Sequence, residues 1–411
     1  MNKKSDTINN IIIIAPTEFP FSTASANLLR NFGFGLIHFG SKVHLLISRG
    51  TMYNKGKGYD KRTNNYKGIK FTYCSFISKP HNYLLKAFDV FVAIFTIPAI
   101  IIIKKIKGNI DTVIIYTGYA YQNFPVLLTC KIFKVPLYKY SVDWYNKDTI
   151  VRKWWMLPKW WMFMIELSFF DKFLNGIIVI SQFLKNHYYK IGVSNEKIIL
   201  IPNIIDLKLF NSVKKLNVNG KGKAFRIGYV GAAFLLNGVD DLIIAFKYVH
   251  EKYTNTELLI VGDVNGEASQ LPLLKAIADE NGVAEHIIFT GMVHSNAVPE
   301  YLASCDVLVM ARKDTHFAKA GFPTKLGEYF AAKRPVIMTN VGDIAQYFID
   351  GKELLIAEPD NPQSFASKII YLIENIHERK RIAQNGYFWA KENLDYIKNS
   401  RKIFNFILKN N

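Results

Sequence analysis

Cysteine and acid are both scarce in this sequence. Its 411 residues hold three cysteines, Cys74, Cys130 and Cys305, widely spaced and odd in number. That excludes a disulfide framework and a cysteine-built metal site, and makes a reducing compartment the default. No Asp-x-Asp occurs, and no His, Cys and carboxylate cluster has metal-ligand spacing. No metal and no cofactor is therefore expected. The glycine fingerprint G-x-G-x-x-G is also missing, so dinucleotide binding has no support. Asp and Glu number 33 against 52 Lys and Arg, a formal net charge of +19. Such a balance favours acidic partners: nucleic acid, anionic lipid or phosphorylated substrates. No nucleic-acid module is present, so no nucleic-acid partner is expected, and membrane surface and phosphorylated substrates lead.

Long apolar runs are few. Ile11–Ala15 is too short for the core of a signal peptide and reads as a first buried strand. Val90–Ile103 is uncharged but shorter than the roughly 20 residues of a spanning helix, and Pro98 interrupts it. It reads as a buried or membrane-touching helix. From Val151 the chain runs VRKWWMLPKWWMFMIELSFF. Trp154, Trp155, Trp160 and Trp161 stand beside Arg152, Lys153 and Lys159, the residue types of a membrane interface. The competing reading is a core helix packed under a loop.

What is present is alternation. Half of the residues are hydrophobic, which excludes disorder. Strand-like runs IIIIAP, VHLLIS, DTVIIY, PLYKYSVD, GIIVIS and KIILIPN alternate with helical stretches, while Gly50 to Gly68 reads as a loop. A second series begins at FRIGYVG and continues through ELLIVGD, HIIFTGMV, DVLVMA and ELLIAEP. This predicts an α/β fold of two doubly wound, Rossmann-like domains facing across a cleft. The expected boundaries are 1–202, a linker at 203–223, 224–390, and a C-terminal helix at 391–411 returning to the first domain.

The segment GFPTKLGEYFAAKRPVI, Gly321–Ile337, carries the sharpest chemistry. Pro323 suits a first helical position. The N–H groups around Thr324, Lys325 and Leu326 can face phosphate oxygens, and Lys325 adds a charge. Glu328 falls on the face of Thr324 one turn deeper, where a carboxylate can accept from two ribose hydroxyls. The plain alternative is an ordinary helix with a solvated Lys and Glu. Gly228, Gly231 and Gly238 allow close approach of a phosphate, or simply make tight turns.

In order along the chain, FPFSTASAN, IIVISQFLKNHYYKIGV, KIILIPNIIDLKLF, GYVGAAFLLNGVDDLIIAF, LLIVGD, IIFTGMV, YLASCDVLVMA, GFPTKLGEYFAAKRPVI and LLIAEPDNPQSFASKI resemble the family 4 glycosyltransferases of the GT-B fold. The resemblance spans nearly the whole chain. It implies transfer of a sugar from a nucleoside-diphosphate donor, UDP or GDP, usually with retention. The family's Glu-x7-Glu pair is represented by Glu328 alone, because Ala320 stands eight residues earlier. Backbone N–H groups of Gly321 and Phe322 are the expected substitutes. Ala232 and Asn237 stand where the family tends to place Arg and Lys. Arg312, Lys313, Lys319 and Lys325 are candidates for the missing charge, with a solvated side chain as the alternative for each. The expected donor-binding set is thus Gly231, Arg312, Lys313, Gly321, Phe322, Thr324, Lys325 and Glu328.

Asp143, ending PLYKYSVD, stands where the resemblance implies a polar residue, often His or Asp, that contacts the reacting sugar or acceptor; it is the candidate catalytic residue, orienting the acceptor or taking its proton. The alternative is a loop-capping Asp. Ser22, Thr23 and Ser25 are candidate acceptor-binding residues, or a helix cap. Asp306 reads as a turn residue and Asp263 as structural or cleft-lining. The combined expectation is a metal-independent enzyme of surface-polysaccharide assembly, such as lipopolysaccharide, peripheral at the inner face of a bacterial cell membrane. Its expected partners are a nucleotide-sugar, a saccharide or lipid-linked acceptor and the membrane. A GT-B epimerase and a non-catalytic GT-B nucleotide-binding subunit are the alternatives.

Overall fold

The computed structural model describes residues 8–20, 23–51, 58–59, 61–116, 118–142, 144–145, 147–151, 154–211, 213, 224–263 and 269–411. Its contacts divide the chain into two units, Met1–Ile204 with Tyr396–Asn411, and Ile205–Asp395.

Among the described residues, the first unit is built on eight strands: β1 (Asn10–Ala15), β2 (Lys42–Ile47), β3 (Thr63–Tyr66), β4 (Ile69–Tyr73), β5 (Thr112–Tyr116), β6 (Leu137–Ser141), β7 (Gly176–Val179) and β8 (Ile198–Leu200). Their order is β3-β4-β2-β1-β5-β6-β7-β8. All pairs are parallel except β3–β4. The central strands are buried along most of their length, because helices cover both faces. The hairpin corrects the expected loop between Gly50 and Gly68. Lys67 and Gly68 both take positive φ, the two-residue turn that matches the strand twist, and so seat a short edge strand.

A second correction concerns Pro98. The helix runs unbroken from Tyr83 to Ile106 with Pro98 inside it. Proline removes one N–H and strains the preceding turn. Beside it, the Thr96 hydroxyl reaches the carbonyls of Val92 at 2.9 Å and Cys74 at 2.5 Å, tying the helix to the end of β4.

The described residues of the second unit hold six parallel strands: β9 (Phe225–Val230), β10 (Thr256–Val261), β11 (Ile287–Phe289), β12 (Val307–Met310), β13 (Val336–Thr339) and β14 (Leu355–Ala357), in the order β11-β10-β9-β12-β13-β14. Ile227, Leu258, Ile260 and Val309 meet Phe246 and Ile369 from the covering helices in one core. Asp306 accepts the Arg226 N–H at 2.9 Å and donates its own to the Arg226 carbonyl at 2.8 Å, fixing where β9 and β12 begin.

The helix Ile376–Asn393 stays with the second unit, so the chain returns to the first at Tyr396 rather than 391. The final helix, Tyr396–Asn410, packs on the helix Ala24–His38.

Candidate functional site

The predicted donor residues fall on the carboxyl-end rim of the second sheet. Gly231 directly follows β9, Arg312 and Lys313 lie just beyond β12, and Gly321 and Phe322 precede the helix Thr324–Ala331. That helix is fixed to the rim by Tyr329, a fully buried residue. The Val230 N–H donates to the Tyr329 Oη at 2.8 Å, and that hydroxyl reaches the Val230 carbonyl at 3.2 Å. Gly238 brings two rim loops together. Its φ is +70° and an added Cβ would lie 1.6 Å from the Ala311 carbonyl oxygen, so no side chain fits there.

Several expectations change in detail. Pro323 caps the helix and Thr324 is its first residue. Lys325 Nζ sits 3.1 Å from Glu328 Oε2, so the candidate phosphate cation and ribose acceptor are bonded to each other. Arg312 donates to the Gly321 carbonyl at 3.2 Å. Burial pushes its guanidinium down to about 10, and its own carbonyl accepts from the Thr339 hydroxyl at 2.6 Å. It is therefore a brace for the GFPTK turn. Lys313 is tied to Asp240 at 2.6 Å, with Asp241 at 3.6 Å. Burial alone would lower the Lys313 pKa, but these carboxylates outweigh it and hold it raised. Lys319 pairs with Asp314 at 2.9 Å. The Gly231 N–H is held by the Val261 carbonyl at 2.9 Å. Phe322 is buried, its ring edge-on to Tyr347 at 5.7 Å. The Asp263 carboxylate accepts from the Ser269 hydroxyl at 2.7 Å.

Two of the helices that start on this rim differ in their electrostatics. Val239–Lys252 opens with Asp240 and Asp241 in its first turn. These already face the positive end of the helix dipole and would repel an anion. Burial and the neighbouring Asp240 raise the Asp241 pKa, a sign of how crowded the negative charge is there. Thr324–Ala331 has no acid in its first turn and carries Lys325. Its amino end is the better place for a phosphate.

In the first unit, Thr23 caps the helix Ala24–His38, its Oγ1 accepting the Ala26 N–H at 3.1 Å. Ser25 hydrogen-bonds Thr23 and Thr17 at 2.9 and 3.0 Å. Both residues therefore shape the loop after β1. Ser22 and Asp143 lie outside the described residues. Trp154 and Trp161 are exposed, while Trp160 is half-buried with an Nε1 that finds no acceptor among the described residues. The Trp155 side chain is outside what is described.

Sequence reasoning missed two features. Tyr329 was legible as a polar ring on the buried face of an amphipathic helix, a position that demands a partner. The other is a sealed charge cluster on β6. Lys139 Nζ lies 2.8 Å from Asp171 and 3.0 Å from Glu166. Tyr188 donates to Asp171 at 2.7 Å, and Asn123 donates to Glu166 at 2.7 Å.

With this geometry established, the chain can be set beside known proteins. Residues 213–389 match the model for Glycosyl transferases group 1. That segment is less than half of the chain. An uncharacterized glycosyltransferase of Methanocaldococcus jannaschii is 28% identical over 217 residues, 53% of this chain and 54% of the relative. The capsular polysaccharide biosynthesis glycosyltransferase CapM of Staphylococcus aureus is 29% identical over 197 residues, 47% of each chain. The chain thus spans about half the length of the curated relatives it matches. The Anabaena protein HepE, solved with UDP, has a TM-score of 0.71 over 96% of this chain and 98% of its own, at 16% identity. That likeness shows the fold: the chain has the GT-B architecture.

Proposed function

We propose that this chain moves a sugar from a nucleoside-diphosphate donor, UDP or GDP, to a saccharide or lipid-linked acceptor in cell-surface polysaccharide assembly. The observation that carries the reading is the amino end of Thr324–Ala331, free of acid in its first turn and bearing Lys325, on the rim of the domain that matches the family. The diphosphate lies across this end. Lys325 exchanges Glu328 for a phosphate oxygen, which frees the carboxylate to accept from the ribose hydroxyls. Arg312 holds the Gly321 turn in place. Charge on the departing diphosphate is met by N–H groups and Lys325, so the reading needs no metal, and the expected outcome is retention. Asp143 orients the acceptor in this reading, a role that rests on the family resemblance. The Staphylococcus aureus relative is named for capsular polysaccharide and the Anabaena structure holds UDP, which supports the substrate class. We place the enzyme at the inner face of the cell membrane, where a lipid-linked acceptor would be met.

A second reading, nucleotide binding without turnover, is favoured by Ala320, a buried residue where the resembling family carries a carboxylate. Thermal shifts with UDP, GDP, dTDP, ADP and CMP test both, because a ligand that binds only the folded state must stabilise it. One diphosphate should stabilise the wild type. Glu328→Ala should weaken that binding by roughly 1–3 kcal/mol, the cost of unpaired polar groups. An unchanged affinity in the variant removes Glu328 from the site. Stabilisation without release of nucleoside diphosphate from any sugar donor favours the second reading.

A further inference from the structure

Three helices of the first unit, Tyr83–Ile106, Ala120–Ile132 and Leu157–Ser168, pack side by side. Their outer face is apolar. Phe88, Phe91 and Phe95 are 52%, 55% and 60% exposed and form a ladder, with ring centroids 6.4 and 4.9 Å apart. Leu128 is 50% exposed on the second helix and Trp161 57% on the third. Contiguous apolar surface of this kind marks a binding face.

The first helix is long and apolar enough to cross a bilayer by composition. Its other side argues against crossing. Asp89, Ala93, Ile97 and Ile101 form an inner stripe seated on the unit. The Asp89 carboxylate, 4% exposed, accepts the N–H groups of Gly50 and Phe76, each at 3.0 Å. A crossing helix would have to tear these bonds and carry an unpaired acid into hydrocarbon.

Charge selects the occupant. Among the described side chains between residues 83 and 173, the acids are Asp89, Asp111, Glu166 and Asp171, and each is already engaged. Asp111 holds the Asn9 and Asn10 N–H groups at 2.8 Å, and Glu166 and Asp171 hold buried Lys139. The lysines on these helices and their ends, Lys86, Lys104, Lys105, Lys107, Lys131 and Lys159, are at least partly exposed. Among the described side chains the surface thus offers apolar rings and positive charge without exposed acid, a match for anionic lipid.

We infer that this face docks on an anionic bilayer with the helix Tyr83–Ile106 lying in the plane of the interface, its aromatic ladder embedded and its inner stripe still on the protein. This deepens the membrane placement proposed above, and its test uses no sugar donor, so it fails or stands apart from the transferase reading. The full chain is mixed with vesicles of phosphatidylcholine alone, or of phosphatidylcholine with phosphatidylglycerol. The wild type should float with the anionic vesicles only and be released by alkaline carbonate. Phe88→Ser with Phe91→Ser and Phe95→Ser should weaken binding by at least about tenfold. Phe388→Ser, at an exposed ring of the second unit, should leave it unchanged. If the triple variant fails to fold by circular dichroism, Leu128→Ser with Trp161→Ser, on the other two helices, takes its place with the same expectation. Undiminished binding by the folded variant overturns the inference. So does retention through carbonate, which would mean a crossing helix, or equal binding to neutral vesicles. A dimer that dissociates in the variant while vesicles are ignored would make the face a contact between two copies.

Discussion

Lys139 and Lys325 each hold a glutamate at nearly the same distance, 3.0 and 3.1 Å. Their surroundings differ. Lys139 and Glu166 are both 2% exposed, whereas Lys325 and Glu328 are 29% and 18% exposed. In the first unit water is gone and the charges are answered by protein: Asp171, Tyr188 and Asn123 join the pair, while Glu166 Oε2 finds no hydrogen-bond partner among the described residues. In the second unit water competes, so the pair is weak and its members can change partners. The difference separates charge that builds the fold from charge that can serve a ligand. A buried pair is costly to break and slow to be reused; a half-exposed pair on a rim is neither.

The sharpest way to break the comparison is to remove the buried cation. Lys139→Met leaves two carboxylates without a counter-charge and should cost about 3–5 kcal/mol of stability, read by urea denaturation. Charge rather than packing is the cause if the loss depends on pH. Burial already raises the Asp171 carboxyl from 3.8 to about 6, with Lys139 opposing. A raised folded-state pKa contributes stability that is fully present below the unfolded value and is lost as pH rises through the folded one. Without Lys139 that folded value climbs further, so the penalty should shrink as pH falls from 7 toward 5. A penalty that is flat across this range would assign the loss to packing and end the contrast.

Much of the architecture was legible because parallel strands buried on both faces read as unbroken apolar runs, as in β1 and β5. Less legible was anything set by distant partners. Lys139 meets Glu166 and Asp171 across 27 and 32 residues, and nothing in PLYKYSVD marks its lysine as buried. The same holds for Lys313, whose partner Asp240 lies 73 residues back. Local pairs were within reach: Glu328 was placed correctly on a helix, but its i,i+3 bond to Lys325 was overlooked because both were assigned to a ligand. Pro98 misled for a physical reason. One lost N–H is tolerable where a helix is held along its length by an inner stripe and by Thr96.

Tyr329→Phe probes an intermediate case, a buried neutral hydrogen bond. It strips the Val230 N–H of its acceptor at 2.8 Å, and an unsatisfied buried donor costs about 1–3 kcal/mol. Thermal melting of the variant should show that loss. The site should loosen too, since this hydroxyl fixes the helix that carries Lys325 and Glu328. A loss below about 0.5 kcal/mol would mean water replaces the hydroxyl, and the helix would then owe its position to packing alone.

Lys313→Ala should have the smallest effect and sharpens the comparison at its soft end. The pair with Asp240 is 29% and 17% exposed, and such pairs contribute about 0–1 kcal/mol. The orphaned carboxylates would remain stabilised by the helix amino end. If Lys313 belongs to Asp240 rather than to the donor, the dissociation constant for the stabilising diphosphate should rise less than about threefold, or about 0.6 kcal/mol. Calorimetric titration measures it. A rise beyond about tenfold, with stability unchanged, would show Lys313 leaving Asp240 for a phosphate, because 1.4 kcal/mol of binding exceeds what the surface pair contributes. The rim would then hold two exchangeable lysines, and Asp240 would hold one of them in reserve when no donor is bound.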